Sequence, residues 1–328
     1  NVTIADSNWM GVNPTYTDNL TFDSVDIHGM NQWGEFSYSP QSGAIKTSRT
    51  QHTKVLNSRI ADNKSHGLWF DQSNYDVQVA GNTITGNLGS SVFFEISDDL
   101  TLANNYIVSP ANGDRAVKLA GSSGLKLINN TIIGGSDPVG IYTDSRSKPG
   151  CADPSQPLCA NSYGSDRDTV HPRMATMDWV PRLDMMINNI IAYPKSAGYC
   201  GTTTAVCITL RNGSADVPLN TVIHQADGTR PKTIISGNVY VNGNGTIIST
   251  PNGKYPTPGA FAGAMIGAPV NIGGLEAGSW YGSTYVETDG SPTAALTALS
   301  SEATAVPADA TINQYLSAGT RHYGVLAK

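Results

Sequence analysis

Asparagine followed within three residues by Ile or Val recurs at Asn57, Asn82, Asn105 and Asn130, at steps of 25, 23 and 25 residues. A second element keeps the same interval: Gly67-Leu-Trp-Phe-Asp71, Ser91-Val-Phe-Phe-Glu95, Ala116-Val-Lys-Leu-Ala120 and Gly140-Ile-Tyr-Thr-Asp144, at steps of 24, 25 and 24. The asparagine signature returns at Asn189 and Asn238. Each repeat offers short β-rich stretches parted by Gly, Asn, Ser and Asp turns, and none holds a helical period of useful length. The reading is an all-β parallel β-helix in which one repeat is one turn of a solenoid. A β-sandwich or propeller explains the near-constant step less well. Asparagines at one corner should stack turn on turn through their amides, and Leu68, Phe70, Val92, Phe94, Val117 and Leu119 should fill the core.

Two regions break the beat. Residues from about 146 to 184 carry Pro149, Pro154, Pro157, Pro172 and Pro181 with Met174, Met177 and Trp179, and are expected to form a long loop inserted at one corner, able to wall a cleft. From residue 255 the chain is rich in Ala, Gly, Ser, Thr and Pro. The expected division is therefore a β-helix over 1–254 and an irregular C-terminal tail over 255–328 that packs on the solenoid or caps it. Asn1-Val-Thr-Ile and Leu20-Thr-Phe already read as rungs, so an N-terminal cap is expected outside this sequence or from another segment.

Charge is sparse: 20 Lys+Arg against 26 Asp+Glu give −6, and 14% of residues are charged against about 25% in an average domain. No Lys/Arg cluster offers a nucleic-acid footprint, and no apolar run reaches the ~18 residues of a membrane span. The four cysteines fall in two close pairs, read as disulfides Cys151–Cys159 and Cys200–Cys207, which implies a secreted or extracytoplasmic protein. The absence of a leader before Asn1 fits a mature chain. Sequons at Asn63, Asn129 and Asn244 are weak signals in an Asn-rich repeat. No phosphate loop, nucleophile elbow or Cys-x-x-Cys motif occurs. No cofactor or metal is expected; Asp98-Asp99 and Asp114 come nearest to a calcium ligand set and lack its loop pattern.

Strand alternation puts Trp69 and Asp71 on the side opposite Leu68 and Phe70, facing solvent, with Phe93 and Glu95 at the same two positions one rung on, then Lys118 and Ala120, then Tyr142 and Asp144. Rungs lie about 4.8 Å apart, so the Asp71 and Glu95 carboxyls should stand on the order of 5 Å apart, the spacing of a retaining glycosidase pair. Repulsion between them would keep one protonated, as a general acid requires. Trp69 and Phe93 would supply platforms for a sugar ring. Acidic residues on a solenoid surface are more often a solvated face, yet like charges on adjacent strands destabilise. Lys118, Tyr142, Asp144, Trp33 and Glu35 are possible subsite residues. His52, His66 and His171 lack partner spacing and read as structural or rim residues, and His66 is also a candidate substrate-binding residue.

The stretch from about residue 44 to 105, with Gly43-Ala-Ile-Lys46, Asn57-Ser-Arg-Ile60, Asp62-Asn-Lys-Ser-His-Gly-Leu-Trp-Phe-Asp71 and Phe93-Phe-Glu95-Ile96, resembles bacterial right-handed β-helix glycoside hydrolases of the pectin-lyase-like fold, above all the family 120 β-xylosidases. That family has Gly-Ile-Trp-Leu-Asp followed one turn later by a Val-Glu-Val-like segment. The resemblance implies Asp71 as nucleophile and Glu95 as acid/base. Phe70 in place of Leu, Phe93-Phe94 before the Glu, the insertion and the tail depart from the pattern, so xylose is not implied. The leading reading is a secreted retaining glycoside hydrolase acting on an oligo- or polysaccharide. A polysaccharide lyase with Lys118 or Arg115 as base, and a non-catalytic carbohydrate-binding solenoid, are the alternatives. Oligomeric state is not specified by the sequence.

Overall fold

The computed structural model describes residues 1–38, 41–147, 173, 176–193, 207–211, 219–242, 246–282 and 324. Three sheets wrap a single core: a nine-stranded, an eight-stranded and a seven-stranded one among the described residues. Successive strands pass from sheet to sheet and return one turn later beside their predecessor. Nearly all pairings are parallel, as between His66–Asp71 and Val92–Glu95 in the eight-stranded sheet or Tyr75–Ala80 and Asp98–Ala103 in the seven-stranded sheet. Among the described residues the antiparallel exceptions are the hairpin of Ile248–Thr250 with Gly253–Tyr255 and an isolated bridge between Arg115 and Gly135.

Period-two alternation decides the interior. Leu68, Phe70, Val92, Phe94, Val117 and Leu119 are fully buried in one continuous apolar column. Burying each such side chain contributes roughly 1.5–3 kcal/mol. The asparagine ladder is present at one corner: Asn82 Nδ2 donates to Asn105 Oδ1 (3.0 Å), Asn105 to Asn130 (2.9 Å), Asn130 to Asn189 (3.0 Å) and Asn189 to Asn238 (3.0 Å). Its first member is not Asn57. The residue whose backbone N–H meets Asn82 Oδ1 is Ser58, and Asn57 belongs to the preceding column, with Gly81, Asn104, Asn129, Asn188 and Gly237, all at positive φ. Each corner thus needs a left-handed residue, which Gly or Asn supplies, followed by a buried ladder residue. Asn63 and Asn129 are 1% exposed, which makes both sequons structural positions.

Regular pairing continues past residue 254. Helix Pro258–Ile266, capped by Thr257, packs Phe261 and Met265 into the core, and Trp280–Gly282 adds a strand beside Val239–Asn242. Gly324 donates its N–H to Asn188 O (2.8 Å), so the tail returns to the solenoid there. Cys151, Cys159, Cys200, His171 and Asn244, with most of the insertion and tail, lie outside the described residues. Cys207 is buried, with Sγ 3.4 Å from Val241 O. No described helix is long and apolar enough to cross a membrane.

Candidate active site

The register of the eight-stranded sheet generates two outward columns. One runs Lys46, Trp69, Phe93, Lys118; the other Ser48, Asp71, Glu95, Ala120. A further turn precedes them, since Val12 bridges Ile45 and Thr15 bridges Ser48. Gly11 permits that approach: a Cβ there would stand 2.6 Å from Ala44 O.

Asp71 and Glu95 are direct partners on adjacent parallel strands, one ladder step of about 4.8 Å apart. Their surroundings differ. Asp71 is buried (5% exposed), with Oδ2 3.3 Å from Lys46 Nζ and Oδ1 without a hydrogen-bond partner. Burial, followed by the charge of Glu95, pushes the Asp71 carboxyl up to about 6 despite Lys46. Glu95 accepts at both oxygens: Arg146 Nη2 donates to Oε1 (2.5 Å) and Trp69 Nε1 to Oε2 (3.0 Å). Arg146 also grips Asp144 through Nε and Nη2 (both 2.8 Å). Although burial opposes it, those bonds hold the Asp144 carboxyl below the usual carboxylate range.

Several expectations change here. Trp69 and Phe93 face outward but are covered, at 2% and 3% exposure. They stack on each other (5.4 Å between centroids, 18° between planes), with Lys46 Nζ 3.3 Å over the Trp69 ring and Lys118 Nζ 4.4 Å over Phe93. Neither is a free platform; Trp69 instead orients Glu95. Tyr142, not Asp144, stands beside Ala120 in the carboxylate column, and Gly140 stands beside Lys118. That turn spans 22 residues from Val117 to Val139, two fewer than the sequence beat, so outward parity is kept while register slips. Tyr142 is engaged by Arg115 Nε and donates to Asp137 Oδ2 (3.1 Å). Lys118 is paired with Asp114 Oδ2 (3.2 Å).

His66 is wholly buried, its Nδ1 accepting from Ser90 N–H (2.8 Å) and its ring packed on Trp69 and Phe93. Burial, with the charge of Lys118, lowers it to about 3, so the imidazole is neutral and sits under the aromatic pair away from any rim. Trp33 is 76% exposed, and Glu35 accepts from Asn8 Nδ2 (2.6 Å); neither lines the cleft at Asp71.

That cleft, about 420 Å³, is bounded by Trp9, Met10 and Phe36, by Lys46, Arg49 and Gln72, and by Asp71 itself. Arg146 and Trp9 were not singled out from sequence, because both lie in segments without the repeat. Lys46 enters the sequence reading only as the last residue of Gly43-Ala-Ile-Lys46; its outward parity, two residues before Ser48 on the strand next to Asp71, is the signal that could have found it.

A second cleft, about 560 Å³, opens on the seven-stranded sheet among Asp98, Asp99, Asp184, Arg173, Arg182 and Arg230. Arg173 Nη2 binds Asp98 (2.9 Å) and Asp99 (2.7 Å), and Arg230 binds Asp98 (2.7 Å) and Asp184 (3.4 Å). Asp98 and Asp99, the nearest sequence candidates for calcium, are thus held by guanidinium groups. The described end of the insertion lies here, with Trp179 and Met177 packed on Tyr75 and Ile96 and Trp179 Nε1 donating to Ser73 Oγ (3.2 Å).

A family model for a right-handed β-helix region matches residues 1–132. No curated protein and no solved structure matches the chain. The fold is a right-handed parallel β-helix, an architecture that occurs in glycoside hydrolases, lyases and binding proteins.

Proposed function

We propose that this β-helix is a secreted retaining glycoside hydrolase whose catalytic pair is Asp71 and Glu95. The observation that carries the reading is the exact-register pairing of the two carboxylates on adjacent strands, one of them facing an open cleft with a buried, unpartnered oxygen. A ladder step gives the roughly 5 Å separation at which one carboxylate can attack the anomeric carbon while the other protonates the departing oxygen. The resulting glycosyl ester is cleaved by water that the second carboxyl deprotonates, which restores both groups.

The resemblance to family 120 makes Asp71 the nucleophile and Glu95 the acid/base. An exchange of roles is favoured by one observation: Asp71, buried beside Glu95, keeps its proton up to about pH 6, while both Glu95 oxygens accept hydrogen bonds from N–H donors. Azide rescue separates the two. In the variant lacking the nucleophile, azide yields a glycosyl azide of inverted configuration; in the variant lacking the acid/base, the azide product is retained. Asp71→Ala and Glu95→Ala, assayed with aryl glycosides and glycans, should each lose turnover while remaining folded. Undiminished turnover in either sinks the pair. The lyase alternative has less support, since Arg115 and Lys118 are engaged by Asp114, Asp137 and Tyr142. A non-catalytic binder would bind glycans without turning any over.

A further inference from the structure

We infer that Trp9 is the stacking platform of this site and that its ligand is a pyranoside that lays an apolar C–H face on the indole. The inference rests on the reading of the cleft as a glycan site. The covered pair Trp69 and Phe93 cannot take a sugar ring, whereas Trp9 is 47% exposed and lines the same cleft as Asp71. It is also held in place. Its indole N–H donates to Gln41 O (3.1 Å), its carbonyl accepts from Ser42 Oγ (3.1 Å), and Phe36 stacks on it at 5.4 Å and 24°.

A large aromatic fixed on several sides yet open to solvent has little conformational freedom left to lose when a ligand arrives. The remaining lining adds hydrogen-bonding groups from Asn13, Thr15, Ser48 and Gln72. A wall of indole, Met10 and Phe36 joined to a polar rim matches an amphipathic ring: C–H groups on its faces and hydroxyls around its edge.

The test uses the full chain carrying Glu95→Gln, so that binding is read without turnover. It is screened on an array of plant and microbial oligosaccharides, and the best-bound oligosaccharide is titrated by calorimetry. Trp9→Ala should weaken that binding at least about 10-fold, Trp9→Phe less, and Tyr281→Ala, on the nine-stranded sheet, not at all. The Trp9-intact chain provides a control against misfolding of the variant: saturating oligosaccharide should protect Trp9 from oxidation by N-bromosuccinimide, read by peptide mass spectrometry. A silent array, unchanged affinity in Trp9→Ala, or unprotected Trp9 overturns the platform. Trp9-dependent binding with no turnover by the unsubstituted chain upholds the platform and sinks the hydrolase. Turnover whose kcat/KM ignores Trp9→Ala does the reverse.

Discussion

The two clefts of this solenoid both set acids against bases and differ in what that pairing leaves over. On the seven-stranded sheet, Asp98, Asp99 and Asp184 are matched to Arg173 and Arg230, and the pairs fasten Arg173 and the 224–231 segment to the β-helix. On the eight-stranded sheet, Asp71 and Glu95 stand side by side; Lys46 reaches the first and Arg146 the second, yet Asp71 keeps one buried oxygen unsatisfied and its carboxyl is raised by burial and by Glu95. Compensated charge holds loops in place. Charge left in mutual repulsion costs stability and is kept where it can do chemistry. The chain is short of charge overall, which makes the repulsive pair the more conspicuous.

The comparison breaks first on activity. Asp71→Asn or Glu95→Gln should lower turnover by at least about 10³-fold, whereas Asp98→Asn should leave kcat per folded molecule unchanged; steady-state rates on the glycan substrate decide. Stability should respond in the opposite sense. Arg230→Ala removes one of two cations at Asp98 and leaves Asp184 to His224, and should cost about 2 kcal/mol in urea unfolding.

Asp71→Asn should stabilise, with a defined pH dependence. The folded carboxyl titrates near 6 against an ordinary value near 3.9, so the native state binds the extra proton and wild-type stability is lost as pH rises from about 4 to about 6. Asp71→Asn should therefore gain on the order of 1–3 kcal/mol above pH 6 and little at pH 4. A gain at pH 4 equal to that at pH 8 would remove the repulsion argument. The smallest effect concerns Trp69→Phe, which keeps the stack on Phe93 but deletes the N–H held by Glu95. A loss of roughly 10-fold in kcat with KM nearly constant is expected, together with a shifted pH–rate profile that a purely structural role would not produce.

How much of this could be read in the chain depends on what each position answers to. Inside and outside follow from strand alternation alone, which is why the core column from Leu68 to Leu119 and the outward pairing of Asp71 with Glu95 are legible. The ladder is legible to within one residue, because Asn serves two adjacent corner positions and Asn57 fills the left-handed one. Register past Ala120 is not legible, since a turn of 22 residues resembles one of 24. Burial of Trp69 and Phe93 is hidden too, because their cover comes from Lys46 and Lys118 on neighbouring rungs. Trp9 and Arg146 reach the site from segments with no repeat to align them.

The most direct test of the catalytic claim is the stereochemistry of the first product, followed by proton NMR as the wild-type chain cleaves its glycan. The account predicts a hemiacetal of retained anomeric configuration, absent in Asp71→Asn and in Glu95→Gln. An inverted product, an unsaturated uronate absorbing in the ultraviolet, or the same product from either variant would contradict it.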